Sequence, residues 1–298
     1  HLYLNKLTDE IRGINDPDLK TVLAWLIPKQ ADYNSVLTSW HKNGQKVTHT
    51  LENKVLSMAW DYVETNPFVQ GSGSLLGALY DVVDGFAFLL RATEGTETIE
   101  VLLGSATELP FPDKSIKYVV TDPPYYDNIP YPESYDFAYV WLKRALADVY
   151  PDVFKFWTLW RDRSDLDISV GGTRTSEHFE LLLEKAFKEI RRVLADDGVL
   201  VLYFAHSKRE AWIAILNTLH KAGFEVVNVI PVKSESKTDI QGRGKISLLS
   251  SVIIMAKPRG EGAGVAYVEK LRPSLAEEVK KAGGGAWGTG SRGGCWAV

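Results

Sequence analysis

A chain of 298 residues and 33.3 kDa, with 45% hydrophobic and 11% aromatic residues, can bury a core in one large domain or two modest ones. That composition excludes disorder or coiled coil for most of the length. With 34 basic against 38 acidic residues the formal charge is −4, so nucleic acid would meet a local basic surface and not a global positive field.

In chain order, Leu4 to Trp25 and Tyr33 to Trp40 carry apolar residues at helical spacing. Val55 to Trp60 and the glycine-rich Gly71-Ser72-Gly73-Ser74 follow, and residues 1–97 read as a mostly helical segment. Near residue 98 the character changes. Short β-branched runs then alternate with amphipathic helices, the signature of βαβ units and a parallel sheet. The runs Ile99–Leu103, Tyr118–Thr121, Val199–Phe204, Glu225–Ile230 and Leu248–Ala256 are expected as strands. Helices are expected over Pro132–Ala147, over Ser176–Leu194 with a stop at Asp197-Gly198, and over Lys208–Ala222 before Gly223. Residues 98–259 thus form an α/β domain. Residues 231–247 read as a polar basic loop, and 260–298 as a glycine-rich tail with one short helix, Ser274–Lys281.

The strongest chemical signal is the hydrophobic strand Val119-Val120-Thr121 running into Asp122-Pro123-Pro124-Tyr125. Ligands of open α/β sheets bind at the carboxyl ends of strands. Two prolines fix the backbone and withhold two N–H donors, leaving carbonyls to accept hydrogen bonds. The Asp122 carboxylate and the Pro123 carbonyl can therefore take both hydrogens of an exocyclic amine and aim its lone pair at an electrophilic methyl group. Tyr125 offers a ring on which an extruded base can stack. The bland alternative is a turn after a strand, where Asp and Pro are common for local reasons.

These residues resemble the amino-directed DNA methyltransferases that use S-adenosylmethionine, whose defining motif is Asp-Pro-Pro-Tyr. Ala31 to Ser35, Met58 to Tyr62 with Asn66-Pro67-Phe68, Thr121 to Tyr131, Phe204 to Lys208 with Trp212, Ala222-Gly223-Phe224 and Leu249-Ser250-Ser251 are similar to the C-terminal half of the adenine-specific methylases that carry a DUF1156 domain. The resemblance implies a Rossmann-like α/β methyltransferase sheet lacking its first strands, with the helical segment before it. It implies methyl transfer from S-adenosylmethionine to an amine of DNA, adenine N6 foremost, and a restriction or phage-defence role would suit it; the single Cys295 fits a reducing cytoplasm. In such proteins the glycine-rich cofactor loop lies far upstream. The chain begins at His1 rather than Met, so a missing N-terminal half, or a partner chain carrying that loop, is expected.

Within the chain, Gly71 and Gly73 echo a cofactor loop feeding a helix, and as readily form a surface loop. Ser105 stands where related enzymes often place an Asp against the cofactor's adenine, and can donate a hydrogen bond. Asn128, with Tyr126, Asp127 and Tyr131, follows the motif closely enough to line the same pocket, contacting cofactor or base, or simply to build a loop. Phe154-Lys155-Phe156-Trp157 with Trp160-Arg161 and Arg163 interleaves aromatic and basic residues, so Trp157 and Arg161 are candidates for stacking bases and tracking phosphates, against burial in the core. Gly171 to Arg174 can hold a phosphate or act as a hinge, and His206 ends a strand on the catalytic edge, facing substrate or serving structure.

Six histidines and the single Cys295 show no metal-ligand spacing, so no metal is expected, and one cysteine excludes an internal disulfide. No apolar run of about 18 residues can span a bilayer. Two other readings stay open: an RNA methyltransferase acting on a guanine or adenine amine, and a nucleic-acid-binding subunit incomplete without its partner.

Overall fold

Local chemistry sets the helix ends. Asp16 caps the second helix by accepting from the N–H groups of Asp18 and Leu19, with Pro17 in the first turn, where a missing N–H costs nothing. Ser74 and Thr175 cap later helices in the same way, onto Gly77 and His178. In this computed structural model, which describes residues 2–51, 56, 58, 60–95, 99–232 and 251–260, the first part holds α1 (Leu2–Arg12), α2 (Pro17–Ala24) and α3 (Leu26–Tyr33). A two-residue ribbon, β1 (Trp40–His41) with β2 (Lys46–Val47), and α4 (Leu75–Ala92) complete it. The side chains of Trp160, Arg161 and Ser164 lie outside the description.

After Ile99 come β3 (Ile116–Thr121), α5 (Tyr131–Leu146), the short α6 (Leu159–Arg163), α7 (Ser176–Val193), β4 (Leu194–Phe204), α8 (Arg209–Lys221), β5 (Phe224–Val232) and β6 (Ser251–Pro258). The fold is α/β. The four long strands form one mixed sheet in the order β3-β4-β6-β5, with β3 parallel to β4 and the other pairings antiparallel. Thr121 lies beside Leu202, Leu202 beside Ile254, and Ile254 beside Val229.

One face of the sheet carries the main core. Leu200, Leu202 and Phe204 of β4 and Ile254 and Ala256 of β6 meet Phe179, Leu183 and Phe187 of α7 and Ile215 and Leu219 of α8, all buried. The opposite face exposes Tyr118, Val120 and Tyr203, with Val120 69% accessible. A second core is helical: Ile11, Ala24, Leu26, Ile27 and Ala78 pack with Tyr139, Leu146 and Phe154. Helix α5 therefore joins α1, α2 and α3, although it lies between β3 and β4 in the chain.

Several expectations shift by a few residues. Helix α7 stops at Val193, and β4 begins at once, so Asp196 and Asp197 fall inside the strand's irregular start, where they pair with Lys114 and Lys117. The run Ile99–Leu103, expected as a strand, is exposed irregular chain. A strand needs a neighbour to hydrogen-bond, and none reaches it among the described residues. The strand expected over 248–256 is found as Ser251–Pro258; the basic loop beyond Val232, up to residue 250, and the tail after 260 lie outside the described residues. Among the described residues no helix is long and apolar enough to cross a membrane.

Candidate active site at the carboxyl ends of β3 and β4

Strand β3 ends at Thr121 opposite Leu202, and β4 continues to Phe204, so the loops 122–128 and 205–208 leave the sheet at one edge. Pro123 is buried and Pro124 half-buried, which seats the turn against the sheet. The N–H of Tyr126 donates to the Pro124 carbonyl at 3.0 Å and that of Asn128 to the Tyr125 carbonyl at 3.0 Å. Those two acceptors are occupied within the turn, whereas among the described residues the Pro123 carbonyl has no such partner.

Tyr125 stands edge-on to Phe204, with centroids 5.6 Å apart. Burial first, then the neighbouring Asp122 carboxylate, raise the Tyr125 phenol well above its ordinary range. Tyr131 is raised as well, chiefly by burial, with smaller contributions from Tyr135 and Asp122. Its ring stacks on Tyr135 at 5.9 Å and 17°. Tyr131, Pro132, Tyr135, Leu159, Arg163, Leu166 and Asp167 line an open cleft of about 230 Å³ beside the turn.

Tyr126 adopts a left-handed backbone with φ 52°, uncommon for a non-glycine residue and costing about 1–2 kcal/mol. Its ring is held edge-on between Phe179 (5.1 Å) and His206 (5.7 Å), and its carbonyl accepts from Val170 at 2.9 Å. Thus Tyr126, expected to touch substrate, packs on the core. His206 is only 2% accessible: Nδ1 accepts the Lys208 N–H at 3.0 Å, so Nε2 carries the proton and lies 3.0 Å from Asp127 Oδ1. Burial pushes the His206 ring below its ordinary value, against the pull of Asp127. Burial alone would raise the Asp127 carboxyl, but the Lys208 ammonium bonded to it, with His206, holds it below the usual range.

The remaining candidates scatter. Asn128 is exposed and reaches the Ala205 carbonyl at 3.4 Å. Ser105 sits in an exposed turn, sharing a 2.8 Å hydrogen bond with Thr107. Gly71 and Gly73 precede α4, which packs on α2 and α3. A Cβ on Gly73 would lie 3.0 Å from that of Tyr33, and Gly73 has φ 81°, so this glycine makes room for the protein's own side chain. The aromatic–basic run divides: Phe154 is buried against Tyr139, while Trp157 is 71% accessible with the Lys143 ammonium 5.8 Å from its ring. Arg161 has no described side chain. Arg174 is turned inward onto the Ser169 carbonyl (3.0 Å) and Glu133 (3.4 Å) and joins the 167–174 loop to the start of α5.

Sequence reasoning assigned no role at the site to Lys208, Tyr135 or Asp167. Asp127 and His206 are 79 residues apart, and only the parallel pairing of β3 with β4 makes them neighbours, so no local spacing announces the pair. Among the described residues no three His, Cys, Asp or Glu side chains converge as metal ligands.

Comparison with solved structures gives low overall similarity. A protein of Thermus thermophilus described as a DNA modification methylase matches at 21% identity and TM-score 0.30, over 57% of each chain. The same protein complexed with S-adenosyl-L-methionine matches at 21% and 0.32, over 58% of this chain and 60% of that one. The [4+2]-cyclase SpnF matches at 14% and 0.32, over 60% and 63%. This chain thus spans less than two thirds of these relatives, and similarities at that level carry no argument about activity. No curated protein matches. Residues 116–261, just under half of the chain and running from the start of β3 past the end of β6, match the family described as DNA methylase.

Proposed function

We propose that this chain handles the acceptor in methyl transfer to an exocyclic amine of DNA, adenine N6 foremost. The observation that carries the reading is the Asp122–Tyr125 turn at the carboxyl end of β3, inside the stretch that matches the DNA methylase family. Asp122 accepts one amine hydrogen and the Pro123 carbonyl the other, which favours a pyramidal nitrogen with its lone pair exposed. Pro124 and Tyr125 have their carbonyls committed to the turn, so the acceptor pair is fixed before substrate arrives. The half-buried ring of Tyr125 offers a face to the base. No strong base is needed, because a nitrogen made cationic loses its proton readily.

The target base must leave the duplex to reach this edge. The cleft beside Tyr131 and Tyr135, with Arg163 on its wall, suits an unpaired nucleotide, and exposed Trp157 with Lys143 extends that aromatic and cationic surface. S-adenosylmethionine supplies the electrophilic methyl group in enzymes of this kind. Asn128 and Ser105 are the described polar side chains this reading offers it. Gly73 does not fit as part of its cradle, because Tyr33 packs against it, whereas the space at Gly71 is open.

A second reading, in which another polypeptide brings the cofactor cradle, is favoured by the outer edge of β3, which has no strand beside it among the described residues. One experiment addresses both: tritiated S-adenosylmethionine with duplex DNA, single-stranded DNA and structured RNA, followed by nucleoside analysis. N6-methyladenine formed by the wild type and lost in Asp122→Ala is the expected result. Label on N4-methylcytosine or RNA would reassign the acceptor. Label that survives Asp122→Ala would overturn the role of the turn, and calorimetry showing no cofactor binding would favour the two-chain reading.

A further inference from the structure

The turn that carries Asp122 ends in a strained residue followed by a carboxylate pinned from two sides. Resting on the reading of Asp122 just given, we propose that buried His206 is a positioning residue, which through Asp127, and with Lys208, locks the 122–128 loop in the conformation that presents Asp122 and the Pro123 carbonyl to the acceptor.

The geometry is directional. The Lys208 N–H fixes the tautomer by occupying Nδ1, so Nε2–H points to Asp127 Oδ1 at 3.0 Å. The Lys208 ammonium holds the other carboxylate oxygen. The His206 carbonyl accepts the indole N–H of Trp212 at 2.9 Å, anchoring the histidine's own backbone to α8. The imidazole also walls in Tyr126, whose left-handed conformation turns the chain from Tyr125 toward Asp127. Strain of this kind persists only where the surroundings over-determine it. Here three elements do so: Phe179 of α7, Val170 of the preceding loop, and the His206–Asp127 pair. The buried imidazole cannot stack on or bond to a base from its present place, so any role it has in transfer runs through the loop.

The test compares wild type with His206→Ala, His206→Gln and Asp127→Ala, reading amide hydrogen exchange over 122–128 together with kcat and KM for methyl transfer. In the His206→Ala protein the protected amides of Tyr126 and Asn128 should exchange about tenfold faster or more, and kcat should fall about ten- to a hundredfold with little change in KM. Glutamine, whose amide N–H can still reach Asp127, should restore much of both. Asp127 lies at the solvent end of the pair, so Asp127→Ala keeps the core packed and answers the same question if alanine in place of His206 unfolds the chain. Unchanged exchange at 122–128 in Asp127→Ala, unchanged kcat with loosened exchange, or a glutamine variant as impaired as alanine would each overturn the proposal. Wild-type protein that transfers nothing to any nucleic acid would sink the function reading instead, while the exchange measurement still decides whether His206 locks the loop.

Discussion

At the scale of single residues, the chemistry asks for two hydrogen-bond acceptors held at a fixed separation, and a carboxylate followed by proline provides them with few degrees of freedom. Asp122→Asn keeps the shape but turns one acceptor into a donor aimed at the amine. Its kcat is expected to drop about a hundredfold or more, with cofactor affinity by calorimetry nearly unchanged. His206 gives a pH signature. Its folded ring gives up a proton more readily than the unfolded one, whose ordinary value is 6.5, so stability is full above that pH and is lost as the pH falls through the folded ring's lower value. Asp127, Lys208 and the Tyr126 ring face the imidazole, and Asp127, itself held low, keeps its charge across that window. Melting curves from pH 7.5 to 5 should show a loss in wild type that His206→Gln flattens. The proposed acceptor pair of Asp122 and Pro123 was readable locally because its residues are adjacent in the sequence. Asp127 with His206 was not, since the partners meet only after the sheet forms.

Helices and strands depend on contacts that sequence spacing hints at unevenly. The strands were readable as apolar runs because β4 and β6 are central in the sheet, and α7 because its stripe of Phe179, Leu183, Phe187 and Ile190 follows helical spacing. The allegiance of α5 was not readable, because amphipathicity marks a buried face without naming what covers it. Arg192 shows the same limit. Its place near a helix end predicts a favourable interaction with the helix dipole, yet it also bonds the carbonyls of Leu109 and Phe111 and the carboxylate of Asp113, and its own carbonyl accepts from Lys114. It thereby ties the lead-in of β3 to α7. Arg192→Ala is expected to lower the midpoint of chemical denaturation and to loosen exchange over 109–117 before the rest of the sheet.

Across the whole molecule, one sheet face is packed by α7 and α8, and the other presents Tyr118, Val120 and Tyr203 to solvent beside a strand edge that has no neighbour among the described residues. An exposed apolar edge strand invites pairing with another chain. Sedimentation at rising concentration should therefore show self-association, and Val120→Lys, with a charge on that edge, should suppress it with a stability change within about 0.5 kcal/mol. The order of synthesis adds a consequence of the strand order. Strand β6 lies between β4 and β5 but is the last of the three to be made, so a ribosome releases two strands that cannot pair with each other and must wait for the one that joins them. The helical core has no such delay, since all its members precede residue 164. A nascent chain should thus pass through a stage in which α1, α2, α3 and α5 are already assembled while the edge bearing Asp122 has only β4 to lean on.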